Sequence, residues 1–554
     1  MATLNPLFLY YTRPAKQQDQ SGSHTTHRHH PLHAPFGETS RRHTYPMACL
    51  TAAPLKFTVQ RQPAVLVAPA ASTPRELKRL SDIDDQDGLR FQVPTIYFYR
   101  RSVLKDGCDP ARIIRGVVAR ALVHYYPLAG RLRELEGRKL AVDCTGEGVL
   151  FIEADADVCL EHFGEVVHPP FPGIDELLFD IPGSSATLNC PLLLFQFPTS
   201  TFDHQIPIKT KELLWNNFSA KVTRLACGGF ILAMRMQHVM ADGQGMVQFL
   251  GAVAELARGA RAPTVQPVWA RELLAARDPP RPSFAHREYD EAPAGTFAAP
   301  FDAAADGGVK VRRRCFFFGP GEVAAVRALL PPKYSRAAAT TFELLAGFLW
   351  KCRTAALAPD AGEETRLVCI VSARGKNNNG DVPLPRGYYG NALAFAAAVS
   401  TADELRASPV GHAVELVREA KRAVVADGHG GMEYVRSVAD LMALRGRPHF
   451  TAARALLLSE LTRAGFGDLD FGWGRPAYGG PARPDIGAVP GLISFLVPCT
   501  RAGGQDGVLV PMCLPGPAMD RFVEEMDRLL RRSKKTLDVA AARQQQTGMF
   551  PARM

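Results

Sequence analysis

A histidine and an aspartate four positions apart, His238 and Asp242 in the run MQHVMADGQGM (residues 236–246), carry the clearest chemical signal in the chain. An imidazole titrates near neutrality and can take a proton from a hydroxyl as that oxygen attacks an acyl carbon. No serine or cysteine stands beside His238, so direct attack by a bound alcohol is more economical than an acyl-enzyme. The spacing alone is weak, because His and Asp four apart also make an ordinary pair on a helix surface. Gly243 and Gly245 count against a continuing helix and for a tight turn.

The elements around the pair give His238 a direction. Residues 222–238 read as a strand entering the core, with Phe230, Leu232, Met234 and Met236 on one face. His238 shares their parity and is expected to point inward. Beyond the glycines, Met246, Phe249, Leu250, Val253 and Leu256 recur at helical spacing. The histidine therefore lies at an element boundary, either as a base or as a core histidine with a partner.

Upstream, Thr73, Pro74 and Glu76 have the pattern of a capping box and predict a helix start. Ile114, Val117, Val118, Ala121, Leu122 and Tyr125 predict an amphipathic helix ended by Pro127. His124, beside that stripe, is given no role. In the second half, a helix is expected at TTFELLAGFLWKCRTAAL and strands at RLVCIVSARG and VPGLISFLVPC. A late helix carries Met519, Phe522, Val523, Met526, Leu529 and Leu530. Both halves read as mixed α/β.

Residues 1–46 are poor in apolar residues and rich in histidine, as in a disordered extension or an early-called start. The expected organisation is an N-terminal domain over 47–257, a Pro- and Arg-rich crossover loop over 258–310, a C-terminal domain over 311–535 and a tail over 536–554. Residues 197–221, FPTSTFDHQIPIKTKELLWNNFSAK, interrupt two apolar runs with a foreign composition and are expected to be an insertion, with a surface loop as the alternative.

The 554 residues carry a net charge of +10, but the Arg and Lys are interspersed with acids and form no basic stripe with aromatics, which counts against nucleic-acid binding. Eleven cysteines without a C-x-x-C read as reduced thiols of a cytoplasmic protein, and no metal site is expected. No apolar run reaches the ~18 to 20 residues of a membrane span. ARGKNNNG lacks the glycine spacing and Lys-Ser/Thr pair of a phosphate-binding P-loop.

HVMADGQG together with DFGWG at 470–474 resembles the plant BAHD family of acyl-CoA-dependent acyltransferases, and YPLAGRL, YYGNAL and LTRAGFGDLDFGWGRPAYGGPA extend the likeness over about residues 57–532. Within the family the chain is most similar to the benzyl alcohol O-benzoyltransferase-like group. The resemblance implies two chloramphenicol-acetyltransferase-like domains with a tunnel between them. It also implies an alcohol O-acyltransferase that transfers benzoyl or acetyl from acyl-CoA to benzyl alcohol or a similar small alcohol. Acyl-CoA would be a co-substrate rather than a bound cofactor, and the expected form is a monomer with no nucleic-acid or membrane partner.

By the same resemblance His238 is the general base, and Asp242 pairs with Arg374 to hold the turn. Asp470, Gly472, Trp473 and Gly474 are structural or lie toward CoA, and Ser459 offers a hydroxyl to the oxyanion. The alternatives are an inactive paralogue or misannotated product disrupted by residues 197–221, or the same fold acting on an amine or hydroxycinnamoyl acceptor.

Overall fold

The computed structural model describes residues 49–50, 55–178, 218–291, 310–331, 334, 339–375, 384–426, 431–484, 486, 489–501 and 504–547. The expected extension 1–46 and residues 197–217 of the expected insertion lie outside them.

The longer strands are β1 (Gln92–Tyr99), β2 (Val149–Ala156), β3 (Phe218–Leu225), β4 (Phe230–Gln237), β5 (Val311–Phe318), β6 (Glu364–Ser372), β7 (Leu393–Thr401), β8 (Ala455–Glu460), β9 (Tyr478–Pro481), β10 (Ile493–Thr500) and β11 (Asp506–Pro515). They form two mixed sheets. The first runs β9-β1-β4-β3-β2 and then the short strand Val59–Arg61; the second runs from Cys49–Leu50 through β5-β11-β10-β8-β6-β7. A small sheet joins Leu77–Arg79, Leu140–Asp143 and Arg131–Glu134.

Helix α1 (Pro110–His124) forms where the apolar stripe predicts it, with the Asp109 carboxylate accepting from Ala111 N and Ile114, Val117, Val118, Ala121 and Leu122 buried. Helix α2 (Gly243–Ala257) buries Met246, Phe249, Leu250, Val253 and Leu256. In the second half, α3 (Thr341–Leu357) starts at a true capping box, Thr340 with Glu343. The last helix, α4 (Gly516–Thr547), continues through much of the expected tail.

Three expectations change. No helix starts at Thr73: Leu77–Arg79 pair as a strand with Ala141–Asp143, and Glu76 bonds Tyr126 and Lys78 instead of a helix N-terminus. With Leu77 exposed, the segment has no apolar helical stripe to bury. The strand read over 222–238 is a hairpin, β3 and β4, whose turn takes Gly228 at φ +79. Residues 218–221, assigned to the insertion, lie in β3, with Ala220 opposite Met234 and Lys221 opposite Ala233.

Strands also cross the expected domain boundary. β9, from the C-terminal half, pairs with β1 in the first sheet, and Cys49–Leu50 pairs with β5 in the second. Two apolar cores result, one on the first sheet with α1 and α2, the other on the second sheet with α3 and α4.

Candidate active site

β4 delivers the histidine. His238 directly follows Gln237, and its N–H donates to Phe91 O at 2.8 Å, so backbone pairing holds the residue one step beyond the strand. The Phe91 ring meets the imidazole edge-on at 5.4 Å. Val239, Met240 and Asp242 are buried, whereas His238 keeps part of its surface accessible. Burial lowers its pKa below the ordinary 6.5; its own backbone, Asp242, Asn391 and Asp84 offset part of that shift.

Asp242 turns away from the imidazole. It caps α2, its Oδ1 accepting from Gly245 N at 2.9 Å, and Oδ2 accepts from Ala392 N at 3.1 Å. Arg374 donates to both carboxylate oxygens, at 2.5 and 3.0 Å. Burial disfavours the charge on Asp242, but Arg374 and the two N–H donors outweigh it and hold the carboxyl below its ordinary range. Gly243 and Gly245 therefore belong to the first turn of the helix rather than to a separate tight turn. At 245 the requirement is close approach, because a Cβ there would sit 2.0 Å from Tyr389 O.

The sequence reading missed two residues. Asn391, fully buried, places Oδ1 3.1 Å from His238 Nδ1, and its Nδ2 donates to His238 O at 2.7 Å. Asp84, also fully buried, accepts at Oδ1 from Asn391 N and Nδ2, both at 2.9 Å, and from Arg271 at 2.8 Å. Both stand inside stretches already notable in the sequence, YYGNAL and STPRELKRLSDID, but no spacing relates residues 307 positions apart.

The DFGWG segment sits elsewhere. Asp470 Oδ1 accepts from Gly472 N at 2.7 Å and Gly474 N at 2.8 Å, closing a turn in which both glycines have positive φ. Trp473 packs edge-on against Phe230 at 5.2 Å, and Phe471 against Tyr99 at 5.7 Å. Phe230 opens β4 and His238 follows its end, a separation of about 26 Å at ~3.3 Å per strand residue. Ser459 is buried near the end of β8. It shares parity with Leu457 and Leu461, which pack in the first core, while Leu456 and Leu458 pack in the second. Its side chain therefore faces the first sheet.

Comparison with known proteins matches this arrangement to one family. The profile described as "Transferase family" matches residues 57–201 and 197–529, two spans that overlap at 197–201. The benzyl alcohol O-benzoyltransferase of Petunia hybrida is 51% identical over 479 residues, covering 86% of this chain and 95% of that protein. Vinorine synthase shares the fold at 21% identity and a TM-score of 0.57, over 84% of this chain and 96% of its own. So does F. graminearum TRI101 complexed with coenzyme A and deoxynivalenol, at 15% identity and a TM-score of 0.56, over 80% and 96%. With its two mixed sheets, its His238–Asp242 turn and these relatives, the chain belongs to the Transferase family, the BAHD acyltransferases, in the benzyl alcohol O-benzoyltransferase-like group.

Proposed function

We propose that this chain is an acyl-CoA-dependent alcohol O-acyltransferase with His238 as general base, acting on benzyl alcohol or a similar small alcohol with benzoyl-CoA or acetyl-CoA as donor. The observation that carries the reading is the pairing of His238 Nδ1 with Asn391 Oδ1 on an imidazole that remains partly accessible. Nδ1 donates to that amide oxygen, which leaves the Nε2 lone pair to accept a proton.

The alcohol O–H proton passes to Nε2 as the oxygen attacks the thioester carbonyl. The tetrahedral oxyanion collapses, the C–S bond breaks, and the imidazolium returns its proton to the leaving CoA thiolate. Ester and CoA thiol are the products, and no acyl-enzyme forms. Ser459, on the side of β8 that faces the first sheet, is the hydroxyl assigned to the oxyanion. Asp242 and Arg374 hold the turn and take no proton in this scheme.

Release of free thiol from benzoyl-CoA in the presence of benzyl alcohol tests it. His238→Ala is expected to lose about 10²- to 10⁴-fold in kcat with an unchanged unfolding temperature. Full turnover by that variant would remove His238 from the reaction.

A further inference from the structure

Three chain segments far apart in sequence meet at one buried carboxylate beside the histidine. Asp84 Oδ2 accepts from Ser81 Oγ at 2.6 Å and Ser81 N at 3.2 Å. Its Oδ1 takes Arg271 Nη1 and both nitrogens of Asn391. Arg271, itself buried, also donates to Met240 O at 2.7 Å, two residues beyond His238, and lies over the Trp269 ring at 4.5 Å. The chain leaves room for this guanidinium at Gly390, where a Cβ would stand 1.4 Å from Arg271 Nη1.

We infer that Asp84 is a positioning residue for catalysis: its carboxylate fixes the orientation of the Asn391 amide and, through that amide, the Nδ1–H tautomer of His238. The reason is the polarity of the groups. An ionised carboxylate and a main-chain carbonyl only accept hydrogen bonds. Asn391 Nδ2 faces both, at Asp84 Oδ1 and His238 O, so a flipped amide would set its oxygen against two acceptors. The Asn391 oxygen is therefore directed at the ring, and the only satisfied state of Nδ1 is N–H. The basic lone pair is thereby confined to Nε2. Arg271 meets that carboxylate at 2.8 Å with both side chains buried, and its bond to Met240 O ties the same carboxylate to the turn that carries the imidazole.

This assignment rests on His238 acting as the base and adds a requirement for its tautomer. Asp84→Asn is nearly isosteric but can both donate and accept, so it no longer dictates which way Asn391 faces. Measured with benzoyl-CoA and benzyl alcohol, kcat is expected to fall about 10²-fold, the scale on which misplaced catalytic groups act. KM for both substrates should stay within about twofold, the uniform binding being untouched. The acid limb of the pH–kcat profile should move to lower pH, because a negative charge near the imidazolium has been removed. An unchanged kcat and limb in a folded Asp84→Asn protein, with His238→Ala inactive, would overturn the role of Asp84 alone. Full activity in His238→Ala would instead overturn the base assignment.

Since removing Asp84's charge leaves Arg271 buried without it and can prevent folding, the wild-type protein supplies a second test. Nitrogen chemical shifts of ¹⁵N-histidine-labelled protein, with the His238 signal identified by its loss in His238→Ala, report the tautomer directly. Nδ1–H is expected. A wild-type Nε2–H tautomer would overturn the inference whatever the variant does.

Discussion

Arg374 grips both oxygens of Asp242, at 2.5 and 3.0 Å, across 132 residues of sequence. The same carboxylate caps α2 through Gly245 N and receives Ala392 N, so one side chain joins the turn after His238 to β6 and to the residues leading into β7. Removing its charge breaks a mostly buried pair, which costs on the order of 3–5 kcal/mol. Asp242→Asn is expected to lower the unfolding free energy by several kcal/mol and to reduce turnover with it. Arg374→Lys, which loses the two-pronged geometry, should do the same more mildly. An Asp242→Asn protein as stable as wild type yet inactive would instead give the carboxylate a direct part in proton transfer.

The pH dependence follows from the lowered pKa of His238. As the proposed base His238 works only when neutral, so turnover is expected to rise as pH climbs through the His238 pKa, with the acid limb of kcat/KM below pH 6.5. Stability carries the same sign: the unfolded histidine binds its proton more readily than the folded one, so this residue's contribution to stability falls as pH drops through 6.5 toward the lower folded value. A pH–rate profile with its acid limb at or above that value would contradict the burial argument.

The DFGWG turn is expected to act on stability and not on chemistry. Trp473, buried against Phe230 at the far end of β4, should cost about 3–5 kcal/mol on replacement by Ala. The turnover per folded molecule should be retained, because Trp473 packs on Phe230, about 26 Å along β4 from His238. Urea unfolding alongside active-site titration separates the two quantities. Loss of kcat in Asp470→Asn with normal unfolding would place Asp470 in the reaction.

Lys221 is buried in β3 with its amine donating to Glu176 O at 2.6 Å, and burial, aided by Arg61, lowers its pKa to about 7 from 10.5. A folded pKa below the unfolded one means the charge opposes folding fully below about pH 7, and that cost fades as pH rises toward 10.5. We propose that residues 197–221 are an insertion within the family framework whose last residues, 218–221, serve as the start of β3; the division of the family match into two spans that overlap at 197–201 supports it. Deleting them joins Gln196 to Val222 and sets a neutral residue where Lys221 stands. The shortened chain is expected to turn over benzoyl-CoA and benzyl alcohol, and to unfold at a higher temperature by a margin wider at about pH 6 than at about pH 9. A shortened chain that is insoluble would count the segment as part of the working fold.

The local elements were legible wherever an apolar period ran long enough to choose its own partner face. The stripe of Ile114 to Leu122 and that of Met246 to Leu256 each bury as the 3.6-residue period requires, and the parity of β4 points toward the direction of His238. Short segments were not legible. Thr73 to Glu76 satisfy a capping pattern, yet Leu77–Arg79 become a strand because Ala141–Asp143 offer a ladder and no helical face is available to bury. The Arg374–Asp242 pair followed from family resemblance, but Asn391 and Asp84 did not follow from anything local. A buried amide or carboxylate is defined by which donors and acceptors surround it, and here those come from Ser81, His238 and Arg271. Sequence by itself determined the helix and the histidine before it, and read as one strand what is a hairpin. Only the tertiary structure, by bringing distant polar groups together where no water competes, decided how that histidine is held.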